Sequence, residues 1–478
     1  YETGTKIMGF DKAWRAGFKG KGQIVAIADT GLDTGNKATL ARDFSNLKAS
    51  YALGMSSTSW ADYMGHGTHV AGSVAGNGSQ SNKIVTGGAL EAQIVAESLW
   101  SQKANNLTTP NNLGVIFQQA YNSGARIHTN SWGDPEAQGI YNTETMQVDQ
   151  FVWDHPEMLI LFASGNDGVD ANRDGRIDSG AVSAPSTAKN IISVGASENL
   201  VLRGGVQRKL GEIGLTPNEK PWAAEPIASD TLSNNPKGIA AFSSRGPTQD
   251  GRIKPDLVAP GSNILSNCSK MEGAEELWGR FDENYCWSGG TSMSTPLVAG
   301  AAALVRERLM KIQGADTPSA ALVKAVLLQT AVDLYPGQFG EVGKVNGQEL
   351  LKPGPNFDQG YGRVDVGSAI SEKLSLVDNK EGLGTGESKF YKPSGAIRKV
   401  TLVYNDAPAS PIARKVLVNN LDLEVQVGGR TYTSKSLVDN NEQVTLPEGI
   451  NTQNATIYVR GVSVPMGKSG KQPYALVF

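Results

Sequence analysis

Through most of the chain, short near-continuous apolar runs alternate with helix-compatible stretches. The runs are "IVAIAD" (24–29), "QIVAESL" (93–99), "ARIHTNSW" (125–132), "MLILFASGN" (158–166) and "NIISVGA" (190–196). Strands this uniformly apolar are buried on both faces, the condition of a parallel sheet covered by helices. Helical stretches fall at 66–76, 112–123 and 144–155, with long apolar helices over 292–313 and 320–331. Strand and helix in alternation predict a doubly wound, mostly parallel α/β sheet.

After "GYGRVDVGSAI" (360–370) the helical patterns stop. Short alternating runs such as "KVTLVYND", "LDLEVQV" and "TIYVRGVSV" follow, separated by Gly, Asn, Asp and Pro. That texture predicts an all-β domain. The expected division is 1–374 for the α/β domain and 375–478 for a β-barrel or sandwich domain.

A length of 478 residues accommodates roughly two to three domains. Forty-four basic against 47 acidic residues leave a net charge of −3, which excludes a dominant basic face for nucleic acid or anionic membrane. No apolar run approaches the roughly 20 residues a membrane span needs. The chain starts at Tyr1 rather than Met, which reads as a mature form. The two cysteines, Cys268 and Cys286, are compatible with one disulfide in an exported protein or two thiols in a reducing compartment.

Sites in open α/β sheets form at the carboxyl ends of strands. "IVAIADTGLDTG" ends a strand in Asp29, "GHGTHVAGSVAG" puts His66 at a helix start, and "GGTSMSTPLVAG" puts Ser292 at another. An acyl-transfer site needs a serine, an imidazole to take its proton and a carboxylate to hold that imidazole. Each residue alone has a plainer reading: Asp29 as a turn former, His66 and Ser292 as helix caps. Together, in a chain with only four histidines, they form one constellation.

The order Asp, His, Ser, within "DTG", "HGTHVAG" and "GTSMSTP", resembles the subtilisin-type serine proteases over about residues 15–370. The resemblance implies Ser292 as nucleophile, His66 as general base and then acid, and Asp29 as the orienting carboxylate. His69 would be structural and Asp33 a turn residue. "FASGNDG" resembles the segment carrying the family's oxyanion asparagine, which maps to Asn166. Substrate would lie between "NSWGDP" (130–135) and "ESLWS" (97–101), with Ser131, Trp132, Gly133, Ala163 and Ser164 lining a roomy, mostly apolar primary pocket. Asp134 and Glu136 resemble acids of kexin-like processing enzymes, which select basic side chains. The implied activity is that of a secreted endopeptidase with broad apolar or aromatic preference, a monomer whose partners are polypeptide substrates and propeptides or protein inhibitors. A processing protease and a silent binding scaffold are the alternatives.

"DANRDGRID" (170–178) carries oxygen ligands at positions 1, 3 and 5, glycine at 6 and an acid at 9, as in the front of a calcium loop. Asp170, Asn172, Asp174 and Asp178, with the Arg176 carbonyl, are the expected ligands, and a solvated acidic loop is the alternative. Position 12 is Ala181, so another group must complete the shell. Asn420, Asp422 and Asp439 offer further oxygens or plain surface turns. "HGTH" lacks the spacing and glutamate of a zinc protease helix.

The β-rich end is similar to that of large alkaline secreted members of the family with a jelly-roll-like barrel. Segments 201–238 and 267–288 read as surface insertions relative to a minimal member. Pro296 suits only the first turn of its helix. Met293, beside the nucleophile, is an oxidation liability unless it is shielded.

Overall fold

The computed structural model describes residues 1–214, 220–314, 317–340 and 349–478. Strands β1 (Ile24–Asp29), β2 (Leu47–Ala52) and β3 (Gln93–Ser98) are followed by a two-residue pair, β4 (Trp100–Ser101) and β5 (Asn106–Leu107). Then come β6 (Ile127–Asn130), β7 (Leu159–Ala163), β8 (Ile192–Ser197) and β9 (Leu257–Pro260). Seven of them form one sheet in the order β2-β3-β1-β6-β7-β8-β9, with parallel pairing throughout. The chain leaves β1 toward β2 and β3, then returns to build β6 on its other side. The end of β1, at Asp29, is therefore the switch point where such sheets place their ligands.

Helices α1 (Phe10–Arg15), α2 (His66–Ala75), α3 (Gly114–Asn122), α4 (Thr143–Asp154), α5 (Thr291–Gln313), α6 (Ala320–Gln329) and α7 (Val366–Ser371) cover the sheet. Alternation along β1 divides the layers. Val25 and Ile27 join Val70 and Val74 of α2 and the run from Leu297 to Val305 of α5 in one core. Ala26 and Ala28 join Phe117 of α3 and Phe151 of α4 in the other. The doubly wound α/β architecture is thus as the apolar runs predict.

A hairpin, β10 (Ile264–Asn267) with β11 (Tyr285–Ser288), leads into α5. Segments 201–214, 220–238 and 267–288 are mostly exposed or half-buried, as surface insertions should be, but they are anchored from within. Trp222, Leu232, Tyr285 and Trp287 are all buried, because the apolar side chains scattered among their polar residues pack into cores of their own.

The last strands are β12 (Leu376–Leu383), β13 (Ser388–Tyr391), β14 (Lys399–Val403), β15 (Asn420–Val427), β16 (Arg430–Ser434), β17 (Asn441–Thr445), β18 (Thr456–Ser463) and β19 (Gln472–Val477). They form two antiparallel sheets, β12-β19-β14-β17 and β13-β18-β15-β16, around one apolar core. Val403, Ala475 and Val477 of this all-β region reach into the core of the α/β region. Lys189 ties the two together, its buried ammonium paired with Asp406 and donating to the carbonyls of Ala407 (2.6 Å) and Val416 (2.7 Å).

Candidate active site

β1 delivers Asp29 with its carboxylate on the α2 side of the sheet, 1% exposed. The Nδ1–H of His66 donates to Asp29 Oδ1 at 2.7 Å, and the Thr30 N–H donates to the same oxygen at 2.7 Å. Gly67 permits this approach, since a Cβ there would meet Gly31 O at 2.3 Å. His66 is the first residue of α2, with an 18% exposed side chain. Burial pulls its pKa down, but the charge and hydrogen bond of Asp29, helped by Asp62, outweigh this and leave it raised.

Asp62 lies four residues before His66 but outside any motif the sequence displays. Fully buried, it accepts Gly65 N–H (2.8 Å), Thr68 N–H (2.7 Å) and the hydroxyl of Thr30 (2.7 Å). Thr30 Oγ1 in turn accepts Gly67 N–H at 2.7 Å. This carboxylate therefore fixes the first turn of α2 against β1. Asp33 also does more than turn the chain: at φ 46°, it accepts the N–H groups of Ala41 (2.7 Å) and Lys270 (2.6 Å). His69 is structural as expected; its Nε2–H donates to the carbonyls of Ile264 (3.0 Å) and Cys286 (3.1 Å), and burial pushes its pKa down to about 4.

Gly290 precedes α5, so Ser292 is the second helical residue rather than the cap. Its N–H lies in the first turn, where such groups lack helical partners and the dipole favours negative charge. Pro296 is not in that turn: it is the sixth residue of α5. A proline there cannot donate to the carbonyl four residues back, Ser292 O. The hydroxyl of Ser131 supplies the missing bond, donating to Ser292 O at 2.8 Å. Reciprocally, Ser292 Oγ donates to Ser131 O at 3.0 Å. The hydroxyl must leave that carbonyl to meet an imidazole, a rearrangement common in sites without substrate.

Asn166 is exposed at the end of the loop after β7. Its Oδ1 accepts the Thr291 N–H (2.8 Å) and hydroxyl (3.0 Å), and Thr291 Oγ1 accepts Gly165 N–H at 3.3 Å. These bonds pin the amide oxygen beside Ser292 and so fix the orientation of the side chain. Thr291, part of the serine motif itself, is thus a positioning residue.

Of the expected pocket residues, Ala163 and Ser164 end β7 buried, with Ser164 N–H on Val194 O at 2.9 Å. The Trp132 indole turns inward, donating to Ala28 O at 3.0 Å and packing edge-on to Phe162. Gly133 faces Ser183, whose Oγ would lie 2.8 Å from a Cβ at that glycine, and Ser183 N–H donates to Ser164 O at 3.0 Å. Ser183 is a wall the sequence did not advertise. Asp167 lies beside Gly165, its pKa raised by partial burial and then by the nearby Glu136 charge. Asp134 N–H donates to Ala184 O at 2.8 Å.

In the 170–178 loop, Asp170 accepts Asp174 N–H and Gly175 N–H (both 3.0 Å), Asn172 accepts Asp174 N–H (2.8 Å) and Asp174 accepts Arg176 N–H (2.9 Å). Asp178 closes the coil on Ala171 N–H at 2.8 Å. The donor set is hard oxygen, which suits calcium. Among the described residues, no three acidic, histidine or cysteine side chains converge into a metal cage. None of Asn420, Asp422 and Asp439 is a surface turn: all three are buried, Asn420 and Asp422 within β15 and in contact at 3.4 Å, while Asp439 accepts Ile253 N–H at 3.2 Å. Cys268 and Cys286 are bonded, with Cα atoms 5.2 Å apart. Met293 is wholly buried, hence shielded.

The sequence model of the Subtilase family, Peptidase_S8, matches residues 20–362. A Dictyostelium discoideum protein named serine protease/ABC transporter B family protein tagD is 28% identical over 592 residues, covering 96% of this chain and 32% of its own length. Serine protease AprX of Bacillus subtilis (strain 168) is 27% identical over 310 residues, covering 60% of this chain and 58% of its own. The chain therefore spans a third to somewhat over half of these relatives. The crystal structure of fervidolysin from Fervidobacterium pennivorans, a keratinolytic enzyme related to subtilisin, superposes with a TM-score of 0.50 at 20% identity, over 91% of this chain and 53% of that one.

Proposed function

The chain belongs to the subtilase family, and from that premise we propose that it is a serine endopeptidase acting through a Ser292 acyl-enzyme. The observation that carries this reading is the 2.7 Å bond from His66 Nδ1 to Asp29, next to a helix whose first residue holds the Asn166 amide. Neutral His66 takes the Ser292 proton as the hydroxyl turns from Ser131 O and attacks the peptide carbonyl. Asp29 holds the imidazole tautomer and stabilises the imidazolium. Asn166 Nδ2 and the Ser292 N–H donate to the oxyanion. His66 then protonates the leaving amine, and water releases the acyl group by the same steps in reverse.

Ser131, Gly133, Ala163, Ser164 and Ser183 form the primary pocket, and their small side chains favour bulky apolar or aromatic residues before the cut. A second reading, selection of basic residues, is favoured by Asp167 beside Gly165 with Glu136 close by. Mapping cuts in a denatured protein decides between them: cuts after Leu, Phe, Tyr and Met support the first, and cuts confined to Lys and Arg support the second. The disulfide supports a secreted protein, and among the described residues no helix is long and apolar enough to cross a membrane.

The 170–178 loop is proposed to bind calcium through Asp170, Asn172, Asp174, the Arg176 carbonyl and Asp178. Calcium would supply charge that ties the loop, which begins four residues after Asn166, into the native state. Chelation should lower the melting temperature and the cleavage rate together, and an unchanged melting curve would remove calcium from the account.

A further inference from the structure

A cavity of about 610 Å³ lies between the α/β and all-β regions. Trp153, Pro156 and Ala321 line it from the first, and Asn379, Pro473 and Tyr474 from the second. Direct bonds between the regions flank it: Ser319 donates its N–H (3.0 Å) and hydroxyl (2.6 Å) to Asp378, and Asn405 Nδ2 donates to Pro156 O at 3.4 Å. The cavity is a gap inside a bonded junction, with the volume of a small-molecule site, roughly 300–1,000 Å³. Pro156 and Glu157 lead into the amino end of β7, whereas the candidate active site gathers at the carboxyl end, beyond Ala163. The length of that strand, at about 3.3 Å per residue, sets the two roughly 15 Å apart, so this cavity is no part of the substrate cleft.

Its walls are mostly apolar and its rim is charged. Trp153 is half-buried, and Lys468 Nζ stands over its ring, 5.1 Å from the centroid. Three carboxylates reach the cavity, and each is engaged within the protein. Asp378 accepts from Ser319, Glu157 from the Tyr121 hydroxyl with Arg126 at 3.8 Å, and Glu381 pairs with Lys471 at 3.4 Å. Among the described residues, the other two lysines of the rim bond main-chain carbonyls instead: Lys380 donates to Thr317 O at 3.1 Å, and Lys468 to Trp153 O. An ammonium has three donors, and one bond to a neutral carbonyl neither uses them all nor cancels the charge. An aromatic wall and an ammonium thus stand side by side at the mouth of one cavity.

We propose that this cavity binds a small amphipathic carboxylate, its apolar body against Trp153, Pro473 and Tyr474 and its charged end at the lysine rim, with Lys468 as the principal partner. Removal of apolar surface from water drives such binding. The charge-assisted bond to the ammonium orients the ligand and selects an anion. A fatty acid and a peptide ending in an apolar residue both carry this chemistry. A ligand seated there touches both regions, so it binds the docked chain and stabilises the junction. The proposal goes beyond the peptidase reading and uses none of the residues on which that reading rests.

Calorimetric titration of the full chain tests it, with Ser292→Ala as background to prevent self-cleavage. Octanoate stands for the lipid source and N-acetylphenylalanine for the peptide source, and octylammonium is the control of opposite charge. At least one carboxylate should saturate a single site and bind roughly tenfold or more tightly than octylammonium, the worth of a hydrogen bond between charged groups. The tighter of the two identifies the source, and equal affinities assign the site to carboxylates of either kind. The melting temperature should rise as that carboxylate saturates. Trp153→Ala should weaken its binding by roughly tenfold through lost apolar contact. Lys468→Met keeps the apolar stem and removes the charge; it should weaken binding by a similar factor, and it serves if the tryptophan variant does not fold. No saturable binding of either carboxylate, equal affinity for octylammonium, or affinity unchanged in both variants overturns the proposal, and each outcome leaves the peptidase reading untouched.

Discussion

Two imidazole–carboxylate pairs hang from the same sheet, and only one is placed to act. His66 meets Asp29 at 2.7 Å, and His128 meets Glu97 at 2.9 Å. The register of β1 separates them: Asp29 faces α2, while Ala28, one residue earlier, faces the opposite layer level with Glu97 and Asn130. Ala26, level with His128, and Ala28 leave the space in which Glu97 reaches across β1 to His128. His128 and Glu97 are 0% exposed, and the edge of Phe117 closes over the ring at 4.9 Å. Asn130 Nδ2 donates to His128 Nδ1 at 3.1 Å, which leaves Nε2–H for Glu97. A short bond from histidine to carboxylate thus makes no catalyst by itself. Access to solvent and a serine on the neighbouring helix distinguish the first pair; the second is a polar clasp in an apolar layer.

Breaking each pair in turn should give opposite phenotypes. His66→Ala should lower kcat by roughly a millionfold with little change in unfolding free energy. His128→Gln should leave kcat within a few-fold but cost about 3–5 kcal/mol in chemical denaturation, because Glu97 is left buried without its partner. Asn166→Ala should reduce kcat by roughly a hundred- to thousandfold with KM nearly constant, the signature of a donor used in the transition state. Equal losses of rate in the His66 and His128 variants would erase the distinction.

The pH dependence sharpens the comparison further. Because Asp29 holds the His66 pKa above that of an ordinary imidazole, kcat/KM should rise with pH through a midpoint above that value. Folding favours the protonated ring, so its contribution to stability is complete below the unfolded pKa and lost as pH rises through the folded one. Glu97 is raised by burial against the lowering effect of the His128 hydrogen bond and charge. Its contribution has the same sign, complete below the unfolded carboxyl value and lost as pH climbs through the folded one. In Asp29→Asn the activity midpoint should fall, while in Glu97→Gln it should stay put; a midpoint insensitive to Asp29 would contradict the assignment.

The α/β scaffold was legible because burial on both faces writes itself as runs: "IVAIAD" is β1 to the residue, and the run from Leu297 sits inside α5. Motif glycines marked the close approaches. The contacts between distant segments left no local trace. Glu97 and His128 lie on strands that do not touch, joined across the alanines of β1. The use of Ser131 to cover the carbonyl that Pro296 cannot reach joins a loop to the first turn of α5, 161 residues apart. The aromatic residues of 201–238 and 267–288 are diluted among polar neighbours, so only the folded chain reveals that they form cores.

The central claim, that Ser292 is activated by the Asp29–His66 pair and not by the Glu97–His128 pair, is tested most directly by a fluorophosphonate probe. Labelling rates should be measured for the unaltered chain, His66→Ala and His128→Gln, with the modified residue located by peptide mapping. The account predicts a single label on Ser292, lost in His66→Ala and retained in His128→Gln. Labelling elsewhere, or equally fast labelling without His66, would contradict it.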